Sequence, residues 1–254
     1  MYPIIAKFGP ITIYSYGMML AIAFLFAIHV ARIEAVRKTI KIELVYDLAL
    51  YLIIGSLIGA RVYYLVFFNP SSFIERPLSI FKVWEGGLAI HGGILGGILA
   101  GVLFSRLHRF NFFRLADLVA PSIILAQAIG RIGCFLNGCC FGVPTESIFG
   151  TRFPEHSLAY IAYRGLAVHP TQLYEIVLNL IGFLVLWSTR RRIRFEGGLF
   201  LLYLMIYSSI RIVCSSLRGD SLYIWNTDIK IAYVVSGLIF VIATILFIKR
   251  EKDA

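Results

Sequence analysis

Apolar residues run along this chain in long unbroken blocks, not in the two-residue alternation of a half-buried strand. A helix crossing a bilayer needs about 20 such residues. Seven blocks qualify: Ile11–Ala31, Val45–Phe68, Gly87–Ser105, Leu115–Gly138, Thr171–Thr189, Gly197–Val213 and Ile231–Ile248. Short polar or basic connections separate them, and no linker or repeat divides the sequence. The pattern predicts an all-α polytopic membrane protein, one domain over residues 1–254, built as a bundle of about seven transmembrane helices.

Composition removes the alternatives. Of 254 residues, 59% are hydrophobic and 15% charged, and mean hydropathy is +0.83. A soluble domain has too little interior for that much apolar side chain. The net charge of +10 is a topology signal before it is anything else, and no nucleic-acid partner is expected. Fourteen basic residues follow the first, third, fifth and seventh spans, among them Arg32, Arg37, Arg106, Arg109, Arg190–Arg194 and Lys249. Seven fall on the other side: Lys7, Arg76, Lys82, Arg152, Arg164, Arg218 and Lys230. The bias puts the N-terminus outside and the C-terminus in the cytoplasm. The first span is too long for a signal-peptide core, and its positive charge lies after it rather than before. The reading is a multi-pass bacterial inner-membrane protein.

Three arginines remain, each inside a span: Arg61, Arg131 and Arg211. A charge in hydrocarbon costs at least about 2.5–3.5 kcal/mol, so it marks function by default. Arg131 and Arg211 lie near the outer exits of the fourth and sixth spans, and Arg61 in the outer half of the second. His91 is one turn into the third, Tyr16 sits near the outer end of the first, and Tyr174 and Glu175 open the fifth. Antiparallel helices thus carry polar groups to one level, in the outer leaflet. Guanidinium groups at headgroup depth suit a phosphate, which Arg grips bidentately. An imidazole beside them suits a proton acceptor. Chemistry on a phospholipid headgroup follows, although these residues alone do not say which.

The remaining motifs have structural readings. Gly92, Gly96, Gly97 and Gly101 recur at four-residue spacing, which lets another helix approach closely. Cys134, Cys139 and Cys140 show neither a C-x-x-C spacing nor a partnering histidine pair, so no metal site is expected. They remain as buried thiols or a disulfide, to which Cys214 could contribute. Asp117 is the one acid near the inner end of the fourth span and pairs with Arg114 or a neighbouring helix.

Five stretches together carry a resemblance. These are Tyr16-Gly17, the run V-W-E-G-G-L-A-I-H-G-G from Val83 to Gly93, G-R-I-G from Gly130 to Gly133, H-P-T-Q-L-Y-E from His169 to Glu175, and Arg211. In order and spacing the chain resembles the bacterial prolipoprotein diacylglyceryl transferases over nearly its whole length. The resemblance implies seven helices with the N-terminus outside. It also implies transfer of the diacylglyceryl group of phosphatidylglycerol to the lipobox cysteine thiol of prolipoprotein signal peptides, giving a thioether and glycerol phosphate. By position, His91 resembles the family's essential histidine, Tyr16 its functional tyrosine, and Arg131 and Arg211 its phosphate-handling arginines. Asn137 and Gly142 fall in its signature segment, and with Arg61, Tyr174 and Glu175 complete the expected substrate-binding set. Either His91 or Tyr16 could take the proton. No metal or cofactor is implied. The chain departs from many members in having Cys134 for Asn, Cys139 for Glu, and Ser215 for an acid four residues after Arg211. Those departures leave open a paralogue with another acceptor, and a non-catalytic phospholipid-binding or transport protein is the alternative of a different class.

Overall fold

The structure is a computed structural model that describes residues 2–9, 11–70, 77–82, 86–155, 157–225 and 227–253; of Ile11 and Pro77 it describes the backbone. Val83–Glu85 of the glycine-rich run, and Arg76 of the charge pattern, lie outside the described residues.

Among the described residues, seven helices are long and apolar enough to cross a membrane. They are α1 (Ser15–Arg37), α2 (Ile42–Phe67), α3 (Ile90–Leu107), α4 (Phe112–Asn137), α6 (Thr171–Thr189), α7 (Gly198–Leu217) and α8 (Ile231–Lys252). A short helix, α5 (Leu158–Tyr163), lies in the connection between α4 and α6, and a 3-10 turn covers Pro77–Phe81. Large apolar side chains such as Leu25, Leu99, Leu184 and Ile245 stay exposed along these helices, as contact with lipid requires.

The N-terminal boundary differs from the hydropathy reading. Ile11–Tyr14 belong not to the first span but to strand β2, which pairs antiparallel with β1 (Ile4–Phe8). Apolar side chains raise hydropathy equally in strand and helix. Gly9, at φ +58, supplies the left-handed turn that folds the two together. The third span also starts later, at Ile90, because Gly86 and Gly87 both have positive φ and break the helical path.

The chain divides into two compact units, residues 1–31 with 116–254, and residues 32–115. In the smaller unit α2 packs along α3. The glycines of α3 meet Gly55 and Gly59, a second small-residue pair on α2. A Cβ on Gly59 would lie 2.8 Å from the Gly96 Cα, and one on Gly55 2.9 Å from the Gly96 carbonyl oxygen. The two backbones touch with no side chain between them. In lipid, where apolar surface gains nothing by leaving its solvent, such van der Waals contact is what holds helices together.

The larger unit has a core of Ala120 and Ile124 from α4, Leu186 from α6, and Leu199, Tyr203, Ile210 and Cys214 from α7. Gln127 donates to the Tyr203 hydroxyl at 3.0 Å, a polar tie between α4 and α7. Asp117 also works between these helices. Its carboxylate accepts from the backbone N–H of Gly197 and of Phe200, each at 2.9 Å, and so caps the start of α7. A second cluster, Phe141, Phe153, Ala159 and Val168, forms within the segment that joins α4 to α6.

A bulky residue at the α2–α3 contact should separate the helices. Gly96→Leu is expected to lower the midpoint of thermal unfolding in detergent. Gly237→Leu, at an α8 position with nothing within 4 Å, should leave it unchanged. Equal midpoints for both variants would contradict the packing account.

Candidate active site

The site of the larger unit is built around one carboxylate. Glu175 projects from the first turns of α6, and its side chain is 2% exposed. Arg131, near the end of α4, reaches it with Nη2 at 2.5 Å from Oε2. Arg211, on α7, places Nη1 3.5 Å from Oε1, and Arg218, which caps the C-terminus of α7, approaches the same oxygen at 3.8 Å. Arg218 also grips Asp220, Nε at 2.8 Å from Oδ1 and Nη2 at 3.0 Å from Oδ2. Burial works against the Arg218 charge, but its bonds to Asp220, together with the charges of Cys140 and Asp220, outweigh this and raise its pKa. Three guanidinium groups against two carboxylates leave one positive charge in excess. An anion entering this cluster would be attracted and would find donors already aimed.

In the charge pattern Arg218 reads as a topology residue; the structure places it in the cluster. The available signal was its spacing. Seven residues, two helical turns, separate it from Arg211, so both lie along one face. Asp220 supplies an acid nearby, whereas Ser215, four residues after Arg211, accepts a hydrogen bond on its carbonyl from Lys230 Nζ at 2.5 Å. Desolvation, followed by the Arg218 charge, lowers the pKa of that ammonium.

The segment after α4 brings these groups together by backbone bonds. Gly142 N–H donates to the His169 carbonyl at 2.9 Å, Val143 N–H to Leu217 at 2.8 Å, and Gly219 N–H to Phe141 at 3.1 Å. Residues 141–143 are thereby held between the start of α6 and the end of α7. The fit excludes a side chain at Gly142. A Cβ there would stand 2.6 Å from His169 Cβ and 2.8 Å from the Leu217 oxygen. Thr171 and Gln172, both fully buried, donate to the carbonyls of Cys140 at 2.6 Å and Cys139 at 2.7 Å. His169 Nδ1 lies 3.2 Å from the Tyr174 hydroxyl.

Tyr16, the second residue of α1, backs onto α4. A Cβ on Gly133 would sit 3.2 Å from the Tyr16 ring, which is why a glycine stands two residues after Arg131. The tyrosine stays 41% exposed, and Asn137, closing α4, is also exposed. Gly138 then takes φ +70, with Cys139 N–H bonded to Cys134 O at 3.1 Å and Gly138 N–H to Phe135 O at 3.2 Å. This is a Schellman C-cap. It turns the chain back over the last helical turn and brings the Sγ atoms of Cys134, Cys139 and Cys140 within 4.8 Å of one another, which linear spacing did not reveal. All four cysteines are free thiols, and Cys214 packs in the core of the unit.

The smaller unit holds His91 and Arg61. His91 is the second residue of α3, exposed, with its ring 6.1 Å from that of Tyr63. Arg61 is buried and satisfies backbone. It donates to Ser79 O from Nε at 3.1 Å and Nη2 at 2.8 Å, and its Nη1 bonds the Gly86 carbonyl and reaches Gly87 O at 3.4 Å. Its geometry fixes the segment that leads into α3 and His91. Beside this contact, α2 and α3 flank an apolar groove of about 780 Å³, lined by Ile54, Gly55, Ile58, Leu95, Leu99 and Leu103.

Residues 3–249 match the family model described as prolipoprotein diacylglyceryl transferase. The chain belongs to the prolipoprotein diacylglyceryl transferase family. Similar curated proteins named phosphatidylglycerol–prolipoprotein diacylglyceryl transferase occur in Oceanobacillus iheyensis (36% identity, 97% of this chain and 87% of the relative), Trichormus variabilis (40%, 92% and 84%) and Geobacillus kaustophilus (40%, 96% and 90%). With seven apolar helices and bacterial relatives, this member of the family is a multi-pass inner-membrane protein.

Removing the central carboxylate leaves three cations facing one another at low dielectric. Glu175→Gln is expected to destabilise the folded protein by about 3 kcal/mol, read as a lower unfolding midpoint. A midpoint equal to wild type would show that the cluster does not depend on Glu175.

Proposed function

We propose that this enzyme transfers the diacylglyceryl group of phosphatidylglycerol to the lipobox cysteine of prolipoproteins. It would work as a single membrane domain with its N-terminus outside. The observation that carries the reading is the cationic cluster on Glu175. The thiol sulfur attacks the glycerol carbon that bears the phosphate, a C–S bond forms, and the C–O bond to phosphate breaks. The thiol proton goes to a base, and the bonding pair leaves with glycerol phosphate. The phosphodiester carries one negative charge before reaction and the departing monoester carries two. Arginines around the phosphate therefore interact more strongly as the bond breaks, which accelerates the step beyond simply binding the lipid.

Arg131 and Arg211 are assigned to the phosphate, with Arg211, the less firmly paired of the two, the more available. Arg218 shares Glu175 and keeps the cluster's charge balance. A thiol with ordinary pKa near 8.5 needs a proton acceptor, and His91 is exposed and able to serve; Tyr16 is the other candidate. Asn137 and Tyr174 are placed as polar contacts to the headgroup, and Gly142 as the close backbone approach that keeps Arg218 in register. Arg61 is assigned to positioning the segment before His91. The apolar groove on α2 and α3 offers a surface of the kind an acyl chain requires. No reading as a transport path is favoured, since Asp117, the inner acid, caps α7.

Incubating purified protein with phosphatidylglycerol and a lipobox peptide should add one diacylglyceryl mass to the peptide. Arg131→Ala and His91→Asn should each reduce the rate by at least about a hundredfold while the protein still inserts in membranes. No mass gain with wild type, or full activity in both variants, would defeat the proposal.

A further inference from the structure

We propose that Cys134, Cys139 and Cys140 form a thiolate site for one zinc ion, with water in the fourth position. Three observations carry it. The three Sγ atoms already lie within 4.8 Å of one another. Zn–S bonds of about 2.3 Å put the sulfurs of a tetrahedral or trigonal site roughly 3.8–4.0 Å apart, so the ion would draw them in by less than about 1 Å.

The scaffold is rigid where such a site needs rigidity. Cys134 is buried on the last turn of α4, and the Schellman cap fixes the return of the chain. The backbone carbonyls of Cys139 and Cys140 are each held by a fully buried side chain, Gln172 and Thr171. Cys140 keeps φ +62, a conformation rare for any residue with a Cβ, and the bond from Thr171 holds it there. Backbone held off its preferred conformation by buried hydrogen bonds is backbone held to place a side chain.

Charge also fits. Three thiolates and a zinc ion carry one net negative charge, and Arg131 Nη1, whose Nη2 holds Glu175, stands 3.9 Å from Cys134 Sγ, so a bound ion would draw on the same positive excess that the Glu175 cluster offers a phosphate. The soft sulfur set selects zinc or another thiophilic ion over magnesium or calcium. Bound there, the ion would tie the end of α4, and so Arg131, to the segment that crosses to α6.

The test is metal content of the full-length protein, purified in detergent under reducing, oxygen-free conditions from zinc-supplemented cells and washed with a weak chelator. Wild type should retain one zinc ion per chain. Replacing zinc with cobalt should give the near-ultraviolet thiolate-to-metal absorption. Cys134→Ser and Cys139→Ser should lose the ion, and Cys214→Ser, in the core and outside the cluster, should keep it. Metal-free wild type with all thiols open to alkylation would overturn the proposal without reference to any variant. So would an intact mass showing two of the three joined as a disulfide, or loss of zinc in Cys214→Ser equal to that in Cys134→Ser.

Discussion

A carboxylate withdrawn from solvent and surrounded by arginines is the constraint from which the larger unit takes its form. Glu175 is buried among Arg131, Arg211 and Arg218, and the three arginines could not stand together without it. Their side chains come from the end of α4, the start of α6 and the end of α7, so pairing them fixes which helix ends share a level. The backbone bonds of residues 141–143 to His169 and Leu217 impose the same register. Polar contacts of this kind are costly to assemble in a membrane protein, and their arrangement leaves a positive excess rather than closing to neutrality. That excess is where an anionic headgroup finds its counter-charge.

The smaller unit solves a different problem by different means. Its helices meet through glycines, with Gly55 and Gly59 of α2 against Gly92 and Gly96 of α3, and the polar demand falls on Arg61. A buried guanidinium that spends Nε, Nη1 and Nη2 on carbonyl oxygens is a substitute for secondary structure. It satisfies the Gly86 and Gly87 carbonyls, which stand outside the helices, and adds to the Lys82 N–H bond on the Ser79 carbonyl at the end of the 3-10 turn. His91 follows directly from the segment so held.

Much of this was legible in the sequence, for reasons that differ by residue. The seven spans were plain because bilayer thickness dictates a length of apolar chain that few other structures need. Arg61, Arg131 and Arg211 stood out because charge inside a span is expensive, and Glu175 because it belongs to the polar group that opens the fifth span. The strand at Ile11–Tyr14 was not legible, since hydropathy does not distinguish strand from helix at a boundary. Arg218 was hidden by lying one step beyond its span, where a basic residue has an ordinary topological explanation. Asp117 could be seen as unusual, but the backbone N–H groups it caps lie eighty residues away, which no side-chain pattern announces. Linear spacing did not show that the three cysteines meet. A left-handed glycine at a helix end folds Cys139 and Cys140 back onto Cys134, and motif distances along the chain do not record such a reversal.

If the cluster on Glu175 is a phosphate site, it must discriminate by headgroup charge before any chemistry occurs. Native mass spectrometry of the protein released from mixed bilayers measures that directly. Wild type should carry phosphatidylglycerol in preference to the zwitterionic phosphatidylcholine, and Arg211→Ala should lose the preference by roughly tenfold or more. Equal retention of the two lipids by wild type, or an undiminished preference in Arg211→Ala, would contradict the account.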